Sequence, residues 1–302
     1  MIAYLILVHR YPEQFKRMFK AIHHPQNHYL IHIDKTSGKD IAENIQLFLD
    51  DYPNADILEP EKALWGGYSL VNIALRGMAE LLKTNKIWTH FINLSGQDFP
   101  LKTQEYIQQF LKENAGKEYI LALNQALVRP ETMHRVLDVC YERESDIYRP
   151  SVSRDFLEGV IPFIGTQWMV VSREFCEFVS SSKTSLTYQA FYKNSFIADE
   201  GFFQTMMMNN DCHGEIVQDD LRFIDWVPDG DIKLRPRTFT AKDTKQLIAS
   251  HNLFARKFDA NEDETVLNEI ELHLSEWQRI VSPPLNKYHP SISQPLTEVI
   301  AV

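Results

Sequence analysis

The sequence of 302 residues has few cysteines and no long apolar run. Its three cysteines, Cys140, Cys176 and Cys212, are widely spaced and form no Cys-x-x-Cys pair, which predicts reduced thiols in a reducing compartment. The apolar start, Met1 to Val8, follows no basic segment and is far shorter than the roughly 20 apolar residues of a membrane span. We therefore expect a cytoplasmic protein without a membrane span, whose contact with a membrane would be peripheral, at the inner membrane face.

Positive charge is also scarce. The chain has 31 lysines and arginines against 41 aspartates and glutamates, which gives a net charge of −10. A protein that wraps nucleic acid usually presents a basic stripe, and anionic membranes attract polybasic segments. Neither feature occurs, so we expect no nucleic-acid partner. A small group of cations inside a site stays compatible with this composition, because net charge does not describe local fields.

The common phosphate-binding motifs are missing as well. The chain has no G-x-G-x-x-G and no G-x-x-x-x-G-K-[ST]. A metal-dependent sugar transferase needs a carboxylate pair, such as Asp-x-Asp, to hold Mg²⁺ or Mn²⁺ on the diphosphate of its donor. The one such pair, Asp229-Gly230-Asp231, lies late in the chain beside Pro228 and is more typical of a turn. We therefore expect neither a metal ion nor a cofactor.

Strand and helix patterns alternate along most of the chain. Apolar segments predict strands near residues 2–8, 29–34, 56–58, 90–94, 165–171 and 221–226. A short polar helix is expected near 13–22, and further helices are predicted near 41–49, 69–82, 103–111, 173–181, 201–208 and 244–249, with Thr103 and Asp243 as caps. Residues 125–160 lack a period and predict loops and short helices. The alternation predicts an α/β fold, a mostly parallel central sheet flanked by helices, in one domain over 1–281 with an irregular arm over 282–302.

Polar residues follow several of the predicted strands, where open parallel sheets bind ligands. They are His9-Arg10, Asp34-Lys35, the loop before Trp65, and Ser95 to Asp98. Each could be a plain loop: Asp34 suits a turn, and Trp65-Gly66-Gly67 suits a turn around a core tryptophan. Together they indicate one crevice, in which Asp34 would accept hydrogen bonds from a ribose or base and Trp65 would stack on a sugar or base.

Seven blocks in order through about residues 1–260 resemble the core-2/I-branching β-1,6-N-acetylglucosaminyltransferase family, which includes peptide O-xylosyltransferases. The blocks are Ala3-Tyr4 to His9, Ile31 to Lys35, Trp65 to Ser69, Ile92 to Leu101, Gly165 to Trp168, Asp199-Glu200 and Leu253 to Phe258. The resemblance implies a bacterial-type member with a GT-A-like nucleotide-sugar-binding fold. It further implies a UDP-sugar donor, inversion at the anomeric carbon, independence of metal, and a role in surface polysaccharide synthesis.

The resemblance also implies roles for single residues. Glu200 would be the catalytic base. The donor would contact Val8, His9, Asp34 and Trp65. Its diphosphate would contact Lys257 and an arginine upstream of it. Arg237 is favoured as this arginine, and Arg235 stays open. The sugar or acceptor side would be lined by Ser95, Asp98 and Trp168. Taken alone, Glu200 would be an ordinary carboxylate in the first turn of a helix and Lys257 a surface lysine.

The predicted reaction moves a sugar onto a hydroxyl of a glycan or glycolipid, and GlcNAc is the sugar expected first. Fixed cations would stabilise the charge on the leaving UDP, and Glu200 would take the proton of the acceptor hydroxyl. A xylosyltransferase using UDP-xylose is the alternative within the class. A glycoside hydrolase that pairs Glu200 with a second carboxylate and a non-catalytic glycan-binding relative are the alternatives outside it.

Overall fold

The computed structural model describes residues 1–84, 87–212, 214–229 and 234–281. The predicted arm over 282–302 lies outside the described residues, as does Asp231 of the predicted turn at Asp229-Gly230-Asp231. None of the helices in the described ranges is long and apolar enough to cross a membrane.

The strands and helices follow in chain order. The strands are β1 (Ile2–Val8), β2 (His28–Ile33), β3 (Ala55–Leu58), β4 (His90–Ser95), β5 (Asp98–Pro100), β6 (Lys117–Ile120), β7 (Leu123–Asn124), β8 (Tyr141–Glu142), β9 (Ile147–Tyr148), β10 (Phe163–Ile164), β11 (Met169–Ser172), β12 (Glu215–Val217), β13 (Arg222–Ile224), β14 (Trp226–Pro228), β15 (Leu234–Pro236) and β16 (Phe254–Arg256). The helices are α1 (Pro12–Ile22), α2 (Lys39–Leu49), α3 (Ser69–Lys83), α4 (Gln104–Glu113), α5 (Gln125–Val128), α6 (His134–Leu137), α7 (Arg173–Ser181), α8 (Lys183–Tyr192), α9 (Phe202–Met208), α10 (Thr244–Ala249) and α11 (Thr265–Val281). Short 3₁₀ turns occupy Pro130–Thr132, Ala198–Glu200 and Ala241–Asp243.

A seven-stranded sheet in the order β12-β6-β11-β4-β1-β2-β3 forms the centre of the fold. β1 pairs in parallel with β2 and β4, β2 pairs in parallel with β3, and β12 pairs in parallel with β6. Only β11, between β4 and β6, pairs antiparallel within this sheet. Every residue of β2 and β4 is buried, as expected for strands covered on both faces. The predicted α/β class with a mostly parallel sheet is confirmed.

Helices cover both faces of the sheet because each presents an apolar stripe to it. On one face, Phe15 and Phe19 of α1 pack with Ile107 of α4 and Ile270 of α11. On the other face, α3, α7 and α9 contribute a second apolar layer, which includes Val71, Met78, Phe175 and Phe202. The apolar spacing that predicted α3 and α4 is thus the spacing of the buried side chains. α1 was expected as a polar helix, and the structure corrects this, because α1 buries Phe15 and Phe19.

A small sheet beyond the central one was not predicted. It has the order β13-β16-β5 and brings the segment around residue 256 against the end of β4. Three predictions need correction here. The strand expected over 165–171 begins only at Met169, and the strand expected over 221–226 is divided between β13 and β14. Asp243 does not cap α10 through its side chain, because its carboxylate accepts hydrogen bonds from Arg237 and from the backbone of Thr240.

Candidate active site

A cleft of about 330 Å³ opens at the carboxyl ends of β1, β2 and β4. Six residues that the sequence analysis selected lie in its wall: Val8, His9, Asp34, Trp65, Ser95 and Trp168. The strand register explains the convergence, because Val8 pairs with Ile33, directly before Asp34, and Leu7 pairs with Ser95. Residues separated by nearly 90 positions in the chain therefore meet at one edge of the sheet, as strand-end positions in a parallel sheet must.

Asp34 is held in place by backbone N–H groups. Its Oδ1 accepts a hydrogen bond of 2.7 Å from the backbone of Thr36, and its Oδ2 accepts one of 2.8 Å from the backbone of Ala63. Burial raises the pKa of this carboxyl, but a hydrogen bond from the Thr36 hydroxyl, together with the two backbone hydrogen bonds, outweighs burial and holds the pKa below its ordinary value. Asp34 is thus an ionised turn residue that fixes the loop before Trp65 and also forms part of the cleft wall.

The two histidines of the cleft are neutral groups. Burial and the nearby charge of Arg10 lower the pKa of His9 below its ordinary value. Burial likewise lowers the pKa of His32, whose Nε2 accepts a hydrogen bond of 3.1 Å from the backbone of Glu61. Both rings therefore offer the cleft neutral polar surface, which suits a base or a sugar better than a strongly charged group.

The loop at Trp65 connects the cleft to the turn that carries Glu200. The Trp65 side chain is 62% exposed and meets the ring of Phe196 edge to face, with ring centroids 5.8 Å apart. Gly66 has a φ of +79°, and a Cβ atom there would lie 2.6 Å from the Phe196 ring. The carbonyl of Gly66 accepts a hydrogen bond from the backbone of Ile197 at 2.8 Å. This close approach requires glycine at position 66.

Asp98 lies beneath the cleft, where it binds two arginines. Its carboxylate is fully buried, 3.2 Å from Arg256 Nη1 and 3.7 Å from Arg222 Nη1. The guanidinium groups of Arg222 and Arg256 lie 4.9 and 4.4 Å from the ring centroid of Trp168. Of these four residues, Trp168 and Arg256 line the cleft. The structure therefore puts Asp98 in a supporting position, one layer behind the cleft surface.

Several cations meet at the open end of this cluster. Burial lowers the pKa of Lys257, and the charges of Arg10, Arg256 and Arg235 lower it further. The charge of Asp259 acts in the opposite direction. The sequence analysis included Lys257 and Arg235 but missed the cleft residue Arg256, although it directly precedes Lys257. Cations that repel one another at a cleft wall create a site for an anion.

The two candidate arginines for the diphosphate differ in their surroundings. Arg237 donates to Asp225 at 2.7 Å and forms a two-bonded pair with Asp243 at 2.9 Å. These hydrogen bonds raise the pKa of Arg237 above its ordinary value. Arg235, by contrast, is exposed on β15 and lies near enough to Lys257 to affect its pKa. Arg237 is thus engaged by two carboxylates, and the choice between Arg237 and Arg235 at the diphosphate stays a prediction.

Glu200 ends the 3₁₀ turn Ala198–Glu200 and is 27% exposed at its side chain. Its Oε2 accepts a hydrogen bond of 2.8 Å from Arg135 Nη1. Burial raises the pKa of Glu200 more than Arg135 lowers it, so the net pKa lies above the ordinary value. Burial, with the charge of Glu200 added, raises the pKa of the neighbouring Asp199 to about 7. A carboxyl with a raised pKa is suited to exchange a proton near neutral pH.

The arrangement of the described side chains bears on whether they could hold a metal ion. Within the described ranges, no group of three His, Cys, Asp or Glu side chains is arranged to hold a metal ion. Asp229 is described, whereas Asp231 is not. Independence of metal therefore stays a prediction.

Comparison with known proteins identifies the family. Residues 2–248 match the family described as Core-2/I-Branching enzyme, and the chain belongs to that family. It is 29% identical to xylosyltransferase 2 of Rattus norvegicus over 96% of this chain and 36% of that protein. It is 30% identical to xylosyltransferase 2 of Homo sapiens over 90% of this chain and 33% of that protein. The chain thus spans about a third of the length of these curated relatives.

Two further similarities complete the comparison. Xylosyltransferase of Ciona intestinalis is 28% identical over 90% of this chain and 34% of that protein. Among solved structures, 4-diphosphocytidyl-2C-methyl-D-erythritol synthase of Anaerococcus prevotii covers 72% of this chain and 86% of its own, with 9% identity and a TM-score of 0.34. Family membership and the central sheet together give the chain the GT-A-like fold of glycosyltransferases that the resemblance predicted.

Proposed function

We propose that the protein is an inverting glycosyltransferase that transfers xylose from UDP-xylose to an acceptor hydroxyl without a metal ion. The observation that carries the proposal is the group of Arg10, Arg256 and Lys257 beside a strand-end cleft of nucleotide size. The names of the relatives favour xylose over the GlcNAc expected from the sequence. GlcNAc is therefore the second donor to test.

The donor would lie with its uridine in the cleft and its diphosphate toward the cations. Val8, His9 and Asp34 supply the uridine side, where Asp34 has lone pairs left for a ribose or base edge. As the bond between the anomeric carbon and the diphosphate breaks, negative charge collects on the leaving oxygens. Arg256 and Lys257 are placed to stabilise it: the arginine as a planar fork, the lysine as a point charge. Trp65, largely exposed, would cover the sugar.

Glu200 would act as the general base. The acceptor oxygen attacks the anomeric carbon from the face opposite the diphosphate, its proton passes to the Glu200 carboxylate, and UDP leaves with the bonding electrons. The hydrogen bond from Ile197 to Gly66 and the contact of Trp65 with Phe196 hold the loop of the donor cleft against the segment that leads to Glu200. We propose a glycan or glycolipid hydroxyl as the acceptor.

The test is release of UDP from a panel of UDP-sugars in excess EDTA, with and without simple glycosides as acceptors. We expect release from UDP-xylose that survives EDTA and falls by about 10²–10⁴-fold in Glu200→Gln, while UDP affinity is kept. Glu177→Gln, on the surface of α7, is the matched control and should keep full activity. Release from UDP-GlcNAc alone would reassign the donor. Release only with Mn²⁺ would refute the metal-free mechanism, and release from no UDP-sugar would refute the donor class.

A further inference from the structure

The carboxylate of Glu200 is surrounded by a small, defined set of charges. Arg135, on α6, donates to it directly at 2.8 Å. Arg129, in the turn after α5, acts on it more weakly and is itself bound to Glu131 at 2.7 Å. Asp199 is the neighbouring acid on the same turn and is 7% exposed. Among the residues that the structure describes, Arg135 is therefore the cation that contacts Glu200 directly.

Arg135 is itself held firmly in place. Its carbonyl accepts a hydrogen bond of 2.7 Å from the backbone of Phe196, whose ring packs against Trp65. Its side chain is 19% exposed, so the guanidinium cannot swing freely into solvent. The backbone of Glu200 is fixed separately, because its carbonyl accepts a hydrogen bond of 2.9 Å from Gly165. The ion pair thus joins two anchored segments.

A half-buried carboxyl next to a second acid tends to keep its proton. A general base must have lost that proton before the acceptor hydroxyl arrives. Burial works against ionisation of Glu200, and the charge and hydrogen bond of Arg135 work for it. The guanidinium also fixes one carboxylate oxygen, Oε2, and so leaves the other for the acceptor.

We propose that Arg135 is a positioning residue that keeps Glu200 ionised and oriented for the acceptor hydroxyl. The inference rests on the proposed function, in which Glu200 is the general base. During transfer, the acceptor O–H bond breaks, its proton goes to Glu200, the oxygen bonds to the anomeric carbon and the bond from that carbon to the diphosphate breaks. The ion pair with Arg135 weakens as Glu200 becomes neutral and forms again when the proton returns to water.

The experiment measures kcat and KM between pH 5.5 and 9 for Arg135→Gln, Arg135→Lys and the control Arg129→Gln, with the donor that supports turnover. We expect Arg135→Gln to reduce kcat about ten times more at pH 6 than at pH 9, because loss of the cation lets Glu200 hold its proton to higher pH. KM for the donor and UDP affinity by calorimetry should stay unchanged. Arg135→Lys should restore most of the normal pH profile, and Arg129→Gln should change it only slightly.

Two results would overturn the inference. A loss of kcat in Arg135→Gln that is equal at all pH values, without rescue by lysine, would mean a purely structural role. A rise in acceptor KM with an unchanged pH profile would mean that Arg135 binds the acceptor instead. Failure of the proposed function is recognised separately, because Glu200→Gln would then keep its activity.

Discussion

Asp98→Asn tests whether the carboxylate beneath the cleft supports the site or contacts the acceptor. Asp98 is fully buried, opposite Arg256 in the small sheet, and within ion-pair distance of Arg256 and Arg222. Its Oδ2 also accepts a hydrogen bond of 3.0 Å from the backbone of Ser95. The substitution keeps the shape but removes the charge, which leaves two arginines side by side around one tryptophan with no anion between them.

Breaking a buried ion pair by removing one partner costs about 3–5 kcal/mol. We expect a loss of this size in the free energy of unfolding, measured by urea titration followed by tryptophan fluorescence. UDP affinity should fall as well, because Arg256 loses the contact that orients it at the cleft. Asp225→Asn is the matched control: it removes one carboxylate from the exposed pair with Arg237 and should cost at most about 1 kcal/mol.

The two roles for Asp98 give opposite results. An acceptor contact would change acceptor KM while stability and UDP affinity stay normal. If Asp98→Asn is as stable as Asp225→Asn and binds UDP normally, the supporting role is refuted, and the acceptor-side role expected from the sequence is restored.

Three further predictions concern single positions. Burial raises the pKa of Asp199 to about 7. Between about pH 4 and 7 the folded state therefore keeps a proton that the unfolded state has lost, and the free energy of unfolding falls as the pH rises. Asp199→Asn should therefore raise the free energy of unfolding more at pH 8 than at pH 5, with a gain at pH 8 of at most about 4 kcal/mol; an equal gain at both pH values would refute this. In Gly66→Ala the substituted residue would keep a positive φ and its Cβ would also collide with the Phe196 ring, whereas Gly38 has a φ of +91° with open space around it. Gly66→Ala should therefore lower the free energy of unfolding by about 1–3 kcal/mol more than Gly38→Ala. Equal melting temperatures of the two variants would contradict the collision. Arg235→Gln should weaken UDP binding by calorimetry, whereas Arg237→Gln should mainly lower stability; the reverse pattern would return the diphosphate to Arg237.

The first third of the fold could be predicted from the sequence because its signals are local. β1, β2 and β4 are apolar runs buried on both faces, and α3 carries a continuous apolar stripe. Thr103 caps α4 as expected, with its side chain accepting a hydrogen bond from Tyr106. Short helices and loops over residues 125–160 are also confirmed. Such elements are specified by their own residues more than by distant contacts.

The missed elements carry weaker signals. α8 buries Ser185, Tyr188 and Tyr192, which are spaced as in a helix but do not form an apolar stripe. β5, β12 and β16 have three residues each, too few for a period to appear. α11 is the exception, because its buried residues Val266 and Ile270 do have helical spacing and the pattern could have been found.

The candidate site also has one part that could be predicted from the sequence and one part that could not. The residues at the ends of β1, β2 and β4 were predicted because parallel topology brings strand ends together. The pairing of Asp98 with Arg256 was not, because it depends on the register of β5 against β16, whose residues are more than 150 positions apart. The cytoplasmic location, the peripheral membrane contact, the independence of metal and the roles of the site residues stay predictions.

The charge pattern explains why an acidic chain can still suit an anionic donor. The whole chain carries a net charge of −10, which disfavours the binding of a long polyphosphate along the protein surface. Beside the cleft, cations are concentrated: Asp98 faces two arginines, and Arg10 and Lys257 add further positive charge, which Asp34 and Asp259 offset only in part. A single diphosphate can enter this local field without crossing much acidic surface. UDP affinity should accordingly fall with added salt, and a UDP affinity unchanged between low and high salt would mean that these cations do not bind the diphosphate.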